Sequence, residues 1–423
     1  MLLNKERAYA VMDREGLDGL IAVSPINVRY LSDYYGALMK MNRQFYNYAV
    51  LPRDPAKPAA LIVTGVEHLR FFHRPDSTWM PSIQSYVHPI YQDRRDFDPD
   101  VEDAEHVEYG MKWPVSHDTL SPTDTEYLKY IESNKGNASV NATYALKKAL
   151  VEAGLSDGVV GSDDPRVGPW LNEIGLPKLQ VRDAYTTFRE IRMVKTLDEI
   201  AIMRNVARIN EEALEVVLSS ITVGMPRTDL EIIYNTELAK RGARGIFLAT
   251  GQNGTNQNLG TVLEGESITF DGLCDYQNYL GDLGRIAVCG APKPELVRRA
   301  KALEIGCARV LEVVKPGVTG REVSGAVIDA VREAGFEGFF FATPHSIGLE
   351  HSDHKIPIGP TLPGGNGEFV FEENMIFSLD MPYYEIGWGN LHVEDQILVT
   401  KGGVEPLTNC DVSLRVIPDK SAA

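Results

Sequence analysis

The sequence predicts a two-domain α/β (α+β) protein with domains at 1–185 and 186–423. Its 423 residues exceed the roughly 250–300 at which a single hydrophobic core usually stops growing. Strand-like runs alternate with helical patterns in the first part, which favours a small α/β domain. An internal repeat in the second part predicts a domain with pseudo-two-fold symmetry.

Local patterns give the elements of the first domain. Apolar spacing predicts a helix over 3–17 that ends at Gly16. The proline and asparagine within 24–27 predict a turn. The other predicted elements are strands over 20–23, 48–51 and 60–64, a helix over 143–153 and a strand over 158–161.

A new pattern begins after residue 185. Thr196 and Glu199 form a capping-box sequence, in which each side chain can bond the backbone N–H of the other residue. An apolar face at helical spacing follows, which predicts a long helix.

The repeat aligns 220–251 with 313–344 without a gap, at an offset of 93 residues. Each copy predicts a helix, a glycine turn, a second helix, a glycine cap and a strand. Two copies are too few for a solenoid, so a site at the interface of the repeats is expected. Chance similarity is the alternative. The residue that follows the first copy is Gln252, and the residue that follows the second copy is His345.

Charge and composition exclude several classes of protein. The formal net charge is −17, which disfavours nucleic acids and anionic membrane surfaces. No apolar run approaches the roughly 20 residues of a membrane helix, and no signal peptide is visible. The four cysteines form no CxxC pair, which favours reduced thiols. We therefore expect a cytoplasmic protein.

Five residues form a candidate ligand set for two hard divalent cations: Asp271, Asp282, His345, Asp380 and Glu394. Oxygen ligands suit Mn²⁺, Mg²⁺ or Fe²⁺, and the single nitrogen keeps Zn²⁺ and Co²⁺ possible. Two such ions would activate a water and polarise a substrate oxygen.

The carboxylates follow or interrupt strand-like apolar runs. Asp271 and Asp282 are eleven residues apart, so a hairpin would bring them together. A buried, unpaired carboxylate costs several kcal/mol, and a shared cation would remove that cost. The alternative is that these carboxylates flank hairpin turns in water.

Several short segments resemble one known superfamily. They are 16–18 and 27–32 near the start, 191–195 and 199–204 at the beginning of the second domain, Gly348 three residues after His345, and 393–395 followed by 398–400. In order and spacing they resemble the creatinase, prolidase, aminopeptidase P and methionine aminopeptidase superfamily.

The resemblance implies a creatinase-type N-terminal α/β domain and a C-terminal pita-bread domain. It implies that Asp271 and Asp282 bind one metal ion, that His345 and Asp380 bind the other, and that Asp282 and Glu394 bridge them. Mn²⁺ is favoured over Fe²⁺, Co²⁺ and Zn²⁺. The resemblance also implies a homodimer, in which the N-terminal domain reaches the partner's site.

This chain departs from the family pattern in the residues around the ligands. Asp380 stands where the family usually has Glu, and His392 stands where many members have Arg. Gln257 and Asn258 replace a Pro-His pair of the proline-specific members, and Gly284 replaces the usual Thr or Ser.

Candidate catalytic residues are Asp380, His351, His354 and His392. His351 follows His345 by six residues and His354 follows it by nine, against seven in the family. An imidazole pKa near 6.5 suits acid–base work. Candidate substrate-binding residues are Tyr279, Arg285 and Trp388.

The leading hypothesis is a dinuclear metallohydrolase that cleaves an amide-type C–N bond in Xaa-Pro peptides. One alternative is an enzyme acting on a small zwitterion, either a creatinase- or ectoine-hydrolase-like hydrolase or a dimethylsulfoniopropionate-lyase-like C–S lyase. A second is a non-catalytic binding protein.

Overall fold

The computed structural model describes residues 1–87, 114–134, 138–251, 258–355, 369–408 and 411–418. The chain forms two compact units, Met1–Ile191 and Arg192–Ala423, where the sequence predicted a boundary at 185. Both units mix helices and strands, which confirms the predicted fold class. No helix in the described ranges is both long and apolar enough to cross a membrane.

The first unit is built on a mixed sheet. Within its described part the sheet has seven strands, in the order β5-β4-β3-β2-β1-β6-β7. The strands are β1 Gly19–Ala22, β2 Tyr48–Pro52, β3 Ala60–Thr64, β4 Ser82–Tyr86, β5 Ala138–Ser139, β6 Val159–Ser162 and β7 Gln180–Asp183. The helices are α1 Lys5–Glu15, α2 Pro25–Ser32, α3 Ala37–Lys40, α4 Gly65–Arg70, α5 Pro122–Ser133, α6 Ala142–Glu152, α7 Val167–Glu173 and α8 Tyr185–Arg192.

The local predictions for this unit hold with one exception. Gly16 ends α1 in the left-handed region, at φ 65°, where glycine carries no steric penalty. The predicted turn over 24–27 is wrong, because α2 begins there. Ser24 accepts a hydrogen bond from the backbone N–H of Asn27, and Pro25 occupies the first helical turn. The residues that favour a turn are the same ones that start a helix.

The second unit contains both repeat copies. Its helices are α9 Leu197–Ser220, α10 Arg227–Lys240, α11 Pro294–Val313 and α12 Gly320–Glu333. Its strands are β8 Arg244–Ala249, β9 Ser267–Tyr276, β10 Tyr279–Cys289, β11 Thr343–Ser346, β12 Ile376–Glu385, β13 Gly389–Thr400, β14 Gly403–Pro406 and β15 Arg415–Ile417. The capping box of Thr196 and Glu199 starts α9, as predicted.

The sheet of this unit has a near-symmetric strand order. The described strands run β11-β12-β13-β10-β9-β8, so β8-β9-β10 and β11-β12-β13 are matching halves that meet at β10 and β13. Asp271 pairs with Ala249 and Gly284, and Asp380 pairs in the same way with Thr343 and Glu394. The strand prediction for the second copy needs correction, because β11 starts at Thr343 and contains His345 rather than ending before it.

A buried asparagine ties helix α9 to the β9–β10 hairpin. The Nδ2 atom of Asn210 donates to the carbonyl oxygens of Gly272 and Gly281 at 2.7 and 3.0 Å, and its Oδ1 accepts from the Tyr234 hydroxyl at 2.5 Å. Gly272 and Gly281 adjoin Asp271 and Asp282 in the sequence. Asn210 therefore fixes the backbone that carries both carboxylates.

We expect Asn210→Ala to lower the free energy of unfolding by about 1–3 kcal/mol, because buried acceptors would lose their donor. Urea denaturation of the metal-free protein measures this loss. The control is Thr236→Ala on the exposed face of α10, which also removes a side-chain bond to a backbone carbonyl and should cost under about 0.5 kcal/mol. Equal losses in the two variants would contradict the role of Asn210.

Candidate metal centre

The five candidate ligands lie on five neighbouring strands of the second unit. Each strand contributes one of them: Asp271 on β9, Asp282 on β10, His345 on β11, Asp380 on β12 and Glu394 on β13. Strand side chains alternate between the two faces of a sheet, and the strand register puts all five on one face.

The register shows how this common face arises. Asp282 pairs with Leu273, two residues from Asp271, and Gly284 joins Asp271 to Glu394 across the middle of the sheet. Asp380 is directly opposite Glu394. His345 pairs with Ser378, which is two residues before Asp380. All these separations along the strands are even, so the side chains converge.

Glu394 is the centre of the cluster. Its Oε1 accepts a hydrogen bond from the Ser378 hydroxyl at 2.5 Å and lies 3.2 Å from Nε2 of His345. The Nδ1 atom of His345 lies 2.9 Å from the carbonyl oxygen of His351. An N–H at Nδ1 donating to that carbonyl would leave the Nε2 lone pair free for a metal ion.

Two further histidines approach the carboxylates. The Nε2 atom of His392 lies 2.9 Å from Oδ1 of Asp380 and 3.4 Å from Oε2 of Glu394. The His351 ring stacks on the His345 ring, and its Nε2 lies 3.0 Å from Oδ2 of Asp282. Two groups with metal-ligand spacing result, which we call the Asp271 group (Asp271, His392, Glu394) and the Asp282 group (Asp282, His345, His351).

The burial of so many charges perturbs their protonation. Burial, reinforced by the neighbouring Glu394, raises the pKa of Asp271 to about 6 against the opposing effect of His392. Burial and the charges of Glu394 and Asp271 raise the pKa of Asp282 well above its usual value. Burial alone would raise the pKa of Glu394, but His345 and His392 hold it well below its usual range.

These residues fit a divalent cation. Asp282 is only 2% exposed, and among the described residues no donor reaches either of its carboxylate oxygens with hydrogen-bond geometry. A buried carboxylate without a donor is costly, and a cation in the cluster would compensate its charge. Carboxylate oxygens with imidazole nitrogens suit Mn²⁺, Fe²⁺, Co²⁺ and Zn²⁺.

Two of the predicted substrate-binding residues lie away from this face. Arg285 is three residues from Asp282, an odd separation, so it projects to the other side of the sheet. It donates to the carbonyl oxygen of Glu394 and pairs with Asp395 at 2.8 Å. Tyr279 is buried, and its hydroxyl donates to Glu199 at 3.0 Å. We therefore assign neither residue to substrate binding.

The other candidates outside the cluster have structural contacts. His354 is buried and its Nδ1 accepts from the backbone N–H of Ser346 at 3.3 Å. Trp388 lies beneath the Arg299 guanidinium, 4.1 Å from the ring centre, and beside Tyr383. Neither ring has a described contact with the five ligands.

The segment that replaces the Pro-His pair is only partly described. Gln257 lies outside the described residues. The amide of Asn258 is buried and binds Thr250, Leu248 and Glu231. Asn258 therefore binds the end of β8 and helix α10 and does not point a free polar group at the cluster.

A buried ionic network holds the loop 347–354 that contains His351. Asp353 pairs with Arg192 at 2.8 Å and with Lys195 at 2.7 Å, and all three side chains are at most 1% exposed. Glu350 binds the same guanidinium. The backbone N–H of Asp353 donates to the carbonyl oxygen of Ser346, the neighbour of His345. The network thus connects both histidines of the Asp282 group to the body of the unit.

Sequence reasoning overlooked Ser378, which supports Glu394. A signal existed, because Ser378 is a polar residue two positions before Asp380 in an apolar run. That spacing puts it on the face of the ligands. The network of Arg192, Lys195 and Asp353 had no such signal, since Asp353 is far from the two cations in the sequence.

Comparisons with known proteins agree with this geometry. Residues 201–401 match the Metallopeptidase family M24. The chain is 26% identical over 249 residues to the Xaa-Pro dipeptidase of Lactobacillus delbrueckii subsp. lactis, covering 56% of this chain and 66% of that protein. It is 24% identical over 237 residues to the Xaa-Pro dipeptidase of Pyrococcus furiosus, covering 53% and 66%. The matches thus span slightly less than two thirds of these relatives.

Solved structures share the whole architecture. An Xaa-Pro dipeptidase from Bacillus anthracis superposes with a TM-score of 0.69 at 19% identity, covering 98% of this chain and 99% of that one. A dipeptidase from Pyrococcus horikoshii gives 0.68 at 17% identity, with the same coverage. These likenesses confirm the predicted pita-bread fold. Residues 201–401, just under half of the chain, match the Metallopeptidase family M24, which supports the resemblance to the superfamily of creatinase, prolidase, aminopeptidase P and methionine aminopeptidase.

Proposed function

We propose that this chain is a dinuclear metal-dependent hydrolase that cleaves the amide bond of short Xaa-Pro peptides. The observation that carries the proposal is the convergence of Asp271, Asp282, His345, Asp380 and Glu394 on one sheet face. The similarity to two Xaa-Pro dipeptidases supports the same substrate class. When bound, two divalent ions would supply an activated water and polarise the substrate carbonyl.

The protein's own residues would position the ions and move protons. The five ligands hold the ions. His351 is half exposed and its Nε2 lies beside Asp282, so it could exchange a proton with a substrate or stabilise an oxyanion. The side chain of Asp380 is 30% exposed, against 1% for Asp282 and 4% for Glu394, so Asp380 is available to a substrate from solution.

The proposal is tested with a panel of Xaa-Pro dipeptides and matched Xaa-Ala dipeptides. We expect the metal-loaded enzyme to release the N-terminal residue from Xaa-Pro, and chelation to abolish this release. Amino-acid analysis of the products measures it. Xaa-Pro peptides that stay intact with both ions bound would reject the peptidase assignment.

We expect His351→Gln to lower kcat by about 10²–10⁴-fold, because a positioned acid–base group typically contributes that much. Steady-state kinetics measure the change, and metal analysis should still find the ions of the wild type. His117→Gln, at an exposed position of the first unit, is the control and should leave kcat unchanged. A kcat within about twofold of wild type would contradict the role of His351.

A small zwitterion is the second candidate substrate class. It is favoured by Asp380, which is one methylene shorter than the usual Glu, and by the buried amide of Asn258 where proline-specific relatives have an imidazole. The same metal-loaded preparation is assayed with small zwitterionic amides and sulfonium compounds. Turnover of one of these without Xaa-Pro cleavage would select this alternative.

The remaining assignments stay predictions. We infer a homodimer in the cytoplasm with Mn²⁺ as the favoured metal among Mn²⁺, Fe²⁺, Co²⁺ and Zn²⁺. Light scattering measures the mass of the assembly, and metal analysis of protein purified without added metal identifies the ion. A monomeric mass would contradict the dimer.

A further inference from the structure

We propose that His392 is a direct imidazole ligand of the ion held by the Asp271 group, so that each ion has one histidine ligand, His392 for this ion and His345 for the other, while His351 serves the substrate. The inference rests on the proposed dinuclear site. It adds a second nitrogen to a ligand set in which the sequence supplied only one, and it assigns His392 to metal binding rather than to catalysis.

The distances around Nε2 of His392 are those between neighbouring ligands of one ion. Ligand bonds of about 2.1 Å place adjacent donors about 3.0 Å apart in an octahedron and about 3.4 Å apart in a tetrahedron. Nε2 lies 3.4 Å from Oε2 of Glu394, which matches the tetrahedral spacing, and 2.9 Å from Oδ1 of Asp380, which the family resemblance gives to the other ion. The ligand atoms of Asp271, His392 and Glu394 all lie within 4.8 Å of one another, a spacing that a single ion can span.

The two oxygens of Glu394 face different imidazoles. Oε1 lies 3.2 Å from Nε2 of His345, and Oε2 lies 3.4 Å from Nε2 of His392. A carboxylate that bridges two ions places one oxygen on each of them. Each carboxylate oxygen of Glu394 therefore lies beside a different histidine.

The sheet provides room for this second imidazole. His392 is two residues before Glu394, on the same face, and is 3% exposed. A Cβ atom at position 284 would lie 3.1 Å from Cε1 of His392 and 2.6 Å from the amide nitrogen of Glu394. Gly284 thus allows the close approach of β13 at Glu394 and of the His392 ring, and the two departures from the family pattern, Gly284 and His392, lie against each other.

The two imidazoles are supported unequally. Nδ1 of His345 lies at hydrogen-bond distance from a carbonyl oxygen, whereas Nδ1 of His392 is buried and has no partner within the described ranges. An acceptor at the second ring nitrogen orients a histidine ligand and raises its basicity. We therefore expect the ion of the Asp271 group to bind more weakly than the ion of the Asp282 group.

The competing explanation is that His392 remains an imidazolium that donates hydrogen bonds to Asp380 and Glu394 and touches no metal. It would then act only as a counter-charge to the carboxylates. The two explanations differ in the number of imidazole rings bound to metal, which does not depend on any substrate.

Proton NMR of the Co²⁺-loaded protein counts those rings, because the N–H of each bound imidazole gives a strongly shifted, exchangeable signal. We expect two signals that can be assigned to His392 and His345. His392→Leu should remove one and His345→Leu the other, while the buried His68 of the first unit, changed to Leu, should remove neither. A single signal in the wild type, or two in His392→Leu, would overturn the proposal.

Calorimetric titration gives an independent measure. His392→Leu should weaken one of two binding events at least about tenfold and leave the other within about threefold. It should weaken Co²⁺ more than Mn²⁺, because nitrogen ligands favour cobalt over manganese. His392→Gln is the second variant if the leucine variant does not fold. If both ions keep their affinity in His392→Leu, the proposal is wrong, even if the enzyme cleaves Xaa-Pro peptides. If the enzyme leaves these peptides intact, the measured role of His392 in metal binding is unaffected.

Discussion

Replacing Asp282 with asparagine should make the metal-free protein more stable and the metal-loaded protein inactive. Both carboxylate oxygens of Asp282 are buried, without a hydrogen bond from any described residue, and lie close to Asp271 and Glu394. Removing the charge relieves a repulsion and a desolvation cost in the metal-free state. The same change removes the carboxylate that we propose bridges the two ions, so metal binding and turnover should be lost together.

Thermal unfolding with and without metal measures both effects. Each kcal/mol corresponds to a shift of about 2–4 °C for a domain of 150–250 residues. Wild type should gain about 2.7 kcal/mol from free metal at 100 times its Kd, whereas Asp282→Asn should gain far less. Asp229→Asn on the exposed start of α10 is the control and should behave like wild type. If Asp282→Asn keeps its turnover, a metal-free mechanism would be favoured.

Replacing Asp353 with leucine should lower the free energy of unfolding by about 3–5 kcal/mol, the usual cost of removing one partner of a buried ion pair. The change would remove the carboxylate that pairs with Lys195 and one of the two carboxylates that pair with Arg192. The loop of His351 would also lose its attachment, so kcat should fall with stability.

The exposed pair of Arg204 and Glu405 is a matched control for burial. Its atoms approach to 2.5 Å, but both side chains are more than 40% exposed. Glu405→Gln should cost at most about 1 kcal/mol. Changing Arg192 and Lys195 to methionine together with Asp353→Leu should recover much of the loss, because no buried cation then lacks its partner. Equal losses from the buried and the exposed pair would contradict this account.

Much of the site could be predicted from the sequence because strands have a period of two. The apolar runs before Asp271 and Asp380 predicted strands, and the eleven-residue spacing to Asp282 predicted a hairpin. The structure has both features. The same period places Arg285, an odd number of residues from Asp282, on the opposite face of the strand from that carboxylate.

Other features depended on contacts between distant segments. The sequence places Gly348 three residues after His345, but only the structure gives a reason for glycine. A Cβ there would lie 2.4 Å from Oδ2 of Asp353 and 2.5 Å from Nζ of Lys195. The Asp353–Lys195 ion pair therefore occupies the space that a side chain at position 348 would fill.

The sequence by itself determined the kinds of ligand, their strands and the two-fold repeat, because residue type and periodicity are local properties. The tertiary structure decided which strands are neighbours and hence which side chains meet. It brought His392 to Asp380, placed His354 beside the backbone of Ser346 and paired Arg285 with Asp395. These outcomes follow from strand order and packing, which bring together residues that the sequence keeps far apart.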